Sequence, residues 1–203
     1  MLKLCVISGS MRSQSNSAKI AKFIDKRFYA LSSEVQTDII DIFDEKLPMW
    51  DESCFQADSA FNKAWRPLSQ RLSAAEAFVI ISPEWGGMVP PGLKSLLLCC
   101  NAGELSHKPA MICSVSAGQG GAYPVNELRS SGYKNNQIVF LPDHLIVRDA
   151  NNVFGGDKAQ NEMDTYMRTR LDYSLTLLMK YGLALKTVRE SGCIDLKKYP
   201  YGM

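Results

Sequence analysis

With 203 residues, 46% of them apolar, the chain is long enough to bury one substantial core, and residues 1–203 are read as a single domain. Lys and Arg (23) nearly balance Asp and Glu (21), leaving a formal charge of +2, which excludes the one-signed field of a nucleic-acid binder. No apolar run approaches the ~20 residues that cross a bilayer, and the opening Met1-Leu2-Lys3-Leu4-Cys5 is too short an apolar stretch for a secretory signal. The expectation is a cytoplasmic protein with no membrane or nucleic-acid partner.

Residues 2–8 form a short apolar run of strand type. It leads into Gly9-Ser10-Met11-Arg12-Ser13-Gln14-Ser15-Asn16-Ser17, and helical spacing of Ile20, Phe23, Ile24, Phe28 and Leu31 predicts a helix over residues 18–31. Residues 35–42 read as the second strand, and an acidic, turn-rich loop with Trp50 follows over residues 43–52. A helix is predicted over 61–73, interrupted by Pro67. Residues 77–81 are a continuous apolar run, as for a strand covered on both faces. Helix 91–100 starts with Pro91 in its first turn. Strands at 110–115 and 138–141 flank a helix at 124–131. The loop 149–157 then leads to a long helix over 160–181 that stops at Gly182, leaving 183–203 as a tail available to pack on a neighbouring subunit.

Six cysteines (5, 54, 99, 100, 113 and 193) contain no C-x-x-C pair, and four of them fall inside predicted strands or helices, as small buried apolar residues do. The two histidines, His107 and His144, stand beside prolines without ligand-type neighbours, so no metal site is expected.

Five strands alternating with helices predict an α/β fold: a parallel sheet with right-handed crossovers and helices on both faces. Ligands of such sheets bind beyond the carboxyl ends of the strands, where strand order reverses. The loops falling there hold the unusual residues. After the first strand come the hydroxyls Ser10, Ser15 and Ser17 with Asn16 and Arg12; after the third come Pro83, Glu84, Trp85, Gly86 and Gly87; after the fourth come Ser116, Gly118, Gln119, Gly120 and Gly121. A helix N-terminus, hydroxyl donors and a guanidinium fork suit one phosphate. An ordinary capped loop would use the same serines, and simple turns the same glycines. Trp85 offers a ring face, and the glycines permit close backbone approach. The long glycine-lysine loop of triphosphatases and the full Gly-x-Gly-x-x-Gly are both missing, so one phosphate plus one planar ring fits a mononucleotide such as FMN.

At these residues the chain resembles the NAD(P)H-dependent FMN reductases of the flavodoxin-like fold, with their related quinone and azo-dye reductases. The resemblance extends to about Leu145. The family's Gly-Ser-x-Arg-x-x-Ser-x-Asn/Thr/Ser is met by Gly9, Ser10, Arg12, Ser15 and Ser17, which the resemblance assigns to the FMN phosphate. Of Pro-Glu-Tyr-Asn-Gly-x-x-Pro-Gly-x-Leu-Lys-Asn the chain keeps Pro83, Glu84, Gly87, Pro90, Leu93 and Lys94. It departs with Trp85 for Tyr, Gly86 for Asn, Pro91 for Gly and Ser95 for Asn. The glycine loop from Ser116 to Gly121 is one residue shorter than the family's.

The resemblance implies a three-layer flavodoxin-like sandwich with strand order 2-1-3-4-5, and FMN as cofactor with NADPH or NADH as co-substrate. Hydride passes to the flavin and on to a small-molecule acceptor (free flavin, quinone or azo compound), and relatives form homodimers or homotetramers. Because the cofactor carries the chemistry, no side chain is nominated as a catalytic acid or base. Two alternatives stay open: a flavodoxin-like electron carrier, which the near-neutral charge and Arg12 argue against, and a non-enzymatic flavin-binding protein, for which the lost amide at Gly86 is the argument.

Overall fold

The computed structural model describes residues 1–202. Its centre is a five-stranded parallel sheet ordered β2-β1-β3-β4-β5, made of β1 (Leu2–Ser8), β2 (Val35–Asp41), β3 (Ala77–Pro83), β4 (Pro109–Val115) and β5 (Val139–Val147). Of the three interior strands, β3 and β4 are buried at every residue and β1 at all but Lys3, whereas the edge strands β2 and β5 mix buried and exposed positions. Alternation divides the core in two. Val6, Val79, Ile81, Met111 and Cys113 face one layer, and Cys5, Ile7, Phe78, Ile80 and Ile112 face the other.

The first layer is α1 (Asn16–Leu31) with α6 (Glu162–Glu190); the second holds α3 (Ala60–Ala74), α4 (Pro91–Cys99) and α5 (Ala122–Ser130), and a single-turn α2 (Ile42–Glu45) follows β2. This is the flavodoxin-like order read from the sequence. Register aligns the strand ends: Ser8 pairs with Ile81 and Asp41, Pro83 with Val115, and Val115 with Val147. The loops after β1, β3 and β4 therefore leave from one edge of the sheet.

Several boundaries differ from expectation. Ile42 opens α2, with Asp41 as its cap, instead of ending β2. Pro67 does not interrupt α3: Phe61, Trp65, Leu68 and Leu72 stay on one buried face on either side of it, and that burial offsets the ~3 kcal/mol a mid-helix proline costs. β5 runs to Val147 and contains His144, because Pro142 is tolerated on an edge strand and Arg129 takes the carbonyls of Leu141 and Pro142.

The largest correction is α6, which passes through Gly182 and ends at Glu190. Gly182 is a packing residue: a Cβ there would lie 3.4 Å from Ala77 and Leu2. Residues 183–190 thus belong to a helix, and the stretch after it touches its own chain. Gly202 N–H donates to the Lys134 carbonyl at 3.1 Å, and Leu196 approaches Gly103. Met203, the last residue of the expected tail, lies outside the described residues. No helix among the described residues is long and apolar enough to cross a membrane.

Candidate functional site

The loop after β1 is set from within the core. Gly9 N–H donates to the Ile81 carbonyl at 2.8 Å, and a Cβ at Gly9 would fall 2.6 Å from that oxygen and 2.8 Å from Leu93 Cδ2, so only glycine fits between β3 and α4. Ser10 is buried, and its Oγ accepts from Arg12 N–H at 3.3 Å. The loop then rises into α1, where Ser15 is the N-cap, its Oγ accepting from Ala18 N–H at 3.0 Å. The helix therefore begins two residues before the predicted start, and Asn16 and Ser17 occupy its first turn. That turn holds no acidic side chain, so the positive end of the helix dipole is unopposed. Ser17 Oγ is buried without a hydrogen-bond partner, and the exposed Arg12 guanidinium is unpaired among the described residues.

These groups face a cavity of about 560 Å³, within the ~300–1,000 Å³ of small-molecule sites. Ser10, Arg12, Ser15, Asn16 and Ser17 line one end of it; Pro83, Glu84 and Trp85 line the other. Gly86 and Gly87 turn a two-residue hairpin between Trp85 and Met88, whose backbones exchange hydrogen bonds at 3.0 Å. Both glycines have positive φ, 57° and 76°. Position 86 is thus a left-handed site, where asparagine is the usual substitute for glycine. The backbone accounts for the departure from the family pattern.

The glycine loop stands back from this cavity. Val115 and Ala117 reach the cavity wall, but Ser116, Gly118, Gln119, Gly120 and Gly121 do not line it. Ser116 Oγ accepts from Gly118 N–H, and the Gln119 amide turns outward to Asp149 Oδ2 at 2.7 Å. The Gly121 N–H is already engaged: it donates to Glu84 Oε2 at 2.7 Å, and Tyr123 N–H donates to the same oxygen at 3.3 Å. Gly121 is the N-cap of α5 and has no side chain to cap with, so Glu84 supplies the cap from the loop after β3. Glu84 ties the two ring-side loops together.

Besides Val115 and Ala117, three polar lining residues escaped the sequence reading: Gln14, Lys19 and Asn151. Lys19 adds a second cation to the phosphate end. Its Nζ donates to the carbonyls of Ala150 and, at 2.9 Å, Val153, latching the loop after β5 against α1, and burial lowers its pKa while Asp164 opposes the shift. Asn16 Nδ2 adds a bond to Asn151 Oδ1 at 2.9 Å. A signal existed: a lysine in the first turn runs against the helix dipole, which favours anions there.

The donor set fits FMN. An unopposed helix start, an unpaired Arg12, the second cation Lys19 and the orphaned Ser17 hydroxyl suit a phosphate. At the opposite end Pro83 and Trp85 border room for a ring, while Gly86 and Gly87 turn the hairpin behind Trp85 without lining the cavity.

Comparison with known proteins agrees. A curated "NADPH azoreductase" from Bacillus sp. (strain OY1-2) is 28% identical over 131 residues, 64% of this chain and 68% of that protein. A "Probable NADPH:quinone oxidoreductase 1" from Oryza sativa subsp. japonica is 25% identical over 194 residues, 92% of this chain and 94% of that protein. Among solved structures, the flavoenzyme NAD(P)H:(acceptor) oxidoreductase FerB of Paracoccus denitrificans superimposes with a TM-score of 0.71 at 20% identity, covering 89% of this chain and 99% of that one; at that identity it speaks for the fold alone. Residues 2–152 match the model of the NADPH-dependent FMN reductases, and the chain belongs to that family.

Proposed function

We propose that the protein binds FMN and uses it to pass reducing equivalents from NADPH or NADH to a small-molecule acceptor such as free flavin, a quinone or an azo compound. The observation carrying this reading is the cavity at the carboxyl edge of the sheet, with unpaired Arg12 and Ser17 at its phosphate end. When bound, FMN supplies the hydride-accepting chemistry.

The chain's own residues bind and orient. Arg12, Lys19, Ser10, Ser15 and Ser17 hold the phosphate, with the first N–H groups of α1 directed at it. Asn16 and Lys19 keep the loop after β5 against that end. Trp85, on its two-glycine hairpin, borders the ring, and Glu84 keeps the loops after β3 and β4 in register. Among these groups none is assigned a proton-transfer role. Assembly as a homodimer or homotetramer belongs to the same reading, and light scattering on the purified protein tests it.

The decisive experiment adds FMN to the purified chain, then NADPH or NADH, with and without a quinone. Flavin uptake followed by acceptor-dependent nicotinamide oxidation supports the proposal. Flavin uptake without oxidation makes the protein a carrier, and no uptake removes the cofactor reading.

A further inference from the structure

A second cavity, of about 410 Å³, opens where the C-terminal half of β5 meets the first turns of α6. It is as large as many small-molecule sites (~300–1,000 Å³) and contains none of the residues lining the phosphate-bearing cavity. Its two walls differ in chemistry. On the strand side stand His144 and Arg148. The His144 imidazole lines the groove, with its Nδ1 turned into the protein and without a hydrogen-bond partner among the described residues. Arg148 uses its Nε on the carbonyls of Gln119 (2.7 Å) and Gly120 (3.1 Å), and its two terminal nitrogens are unpaired among the described residues. On the helix side Met163 and Tyr166, 59% and 61% exposed, present a thioether and a phenol ring, with Arg170 one turn further along.

We propose that this groove is a second ligand site, for a planar aromatic anion. The guanidinium nitrogens of Arg148 take the anionic substituent, and the ring lies against Tyr166 and Met163, where flat π surfaces gain from phenol and thioether contacts. Asp149 also lines the groove, and its charged carboxylate is held toward the loop after β4 by accepting from the Gln119 amide at 2.7 Å. Arg148 and Gln119 also fix the loop after β4, so an occupant sits against the outer side of that loop. The inference goes beyond the FMN reading and does not depend on it.

The probe is naphthalene-2-sulfonate, which is redox-silent, with neutral 2-naphthol as its control, titrated by calorimetry. The sulfonate should bind roughly tenfold more tightly than 2-naphthol. Arg148→Met should remove that preference, and Tyr166→Ala, a change on an exposed helix face, should weaken both compounds about threefold. Saturating FMN should leave sulfonate binding unchanged. Equal affinity for the two compounds, indifference to both substitutions, or displacement by FMN would each overturn the proposal. Failure of FMN itself to bind, with sulfonate binding intact, would strike the cofactor reading and leave this one standing.

Discussion

The carboxylate of Glu84 is the N-terminal cap of a helix to which it does not belong, and its removal has a calculable cost. α5 begins at Ala122 with Gly121 as N-cap, no capping side chain of its own and no acid in its first turn. Glu84 Oε2 receives the N–H groups of Gly121 and Tyr123 at 2.7 and 3.3 Å. Loss of a helix cap costs about 1 kcal/mol. Loss of the anion from the positive end of the dipole adds about 0.3–1 kcal/mol. Glu84 is half-buried, so the N–H groups it leaves behind are only partly rescued by water. Glu84→Ala should therefore lower stability by about 2 kcal/mol, and Glu84→Gln, which keeps an acceptor and loses the charge, by about 1 kcal/mol. Urea unfolding followed by circular dichroism measures both, as a shift in midpoint at constant slope. Gly120→Ala is an independent check, since a Cβ there would lie 2.5 Å from Glu84 Oε1 and push the carboxylate aside. A Glu84→Ala variant within about 0.5 kcal/mol of the parent, or a Gln variant as damaged as the Ala one, would refute the capping argument.

Replacing Arg12 by Ala should weaken FMN binding by about 1.5–3 kcal/mol through loss of a charged hydrogen-bond set; unchanged affinity in a fluorescence titration would remove Arg12 from the phosphate site. Gly182→Ala should raise stability by roughly 0.5–1 kcal/mol, because the new methyl meets Ala77 and Leu2 at an ordinary 3.4 Å and the helix loses a flexible residue; a lower melting temperature would show that α6 cannot carry it. Burial, with Arg189 adding to it, pushes the Lys108 ammonium down to about 8, although the carbonyls of Leu72, Ser73 and Glu104 accept from it. The unfolded chain keeps that lysine protonated to about pH 10.4. Between these values the unfolded state holds more protons, so the stability of the parent should climb relative to Lys108→Met by at most about 1.4 kcal/mol per pH unit. Parallel pH profiles from denaturant unfolding would contradict this.

The interior strands were legible because burial on both faces leaves little choice but apolar residues, as in Ala77-Phe78-Val79-Ile80-Ile81. β5 was half-hidden because an edge strand admits Pro142, Asp143 and His144. Gly182 and Pro67 both mark helix ends by local propensity, and tertiary contacts overrule each: Pro67 by the apolar face that continues to Leu68 and Leu72, Gly182 by the ion pairs of Lys186 and Arg189 with Glu76. In the candidate site the phosphate loop could be read because its residues are contiguous. Asn151 and the capping role of Glu84 could not, since each depends on a partner far away in sequence, and Lys19 left only the trace of a cation in a first helical turn.

Gly9 gives the cavity two ends of unequal stiffness. The phosphate loop is wedged against the Ile81 carbonyl and Leu93, so it cannot shift without disturbing interior strand and helix packing. The ring end rests on a two-residue hairpin and on a loop whose exposed Gln119 is tied to Asp149, and these can be remodelled at little cost to the core. Anchorage and selectivity are thereby mechanically separate, and relatives named for azo compounds and for quinones are compatible with one unchanging anchor beneath a freely varied rim.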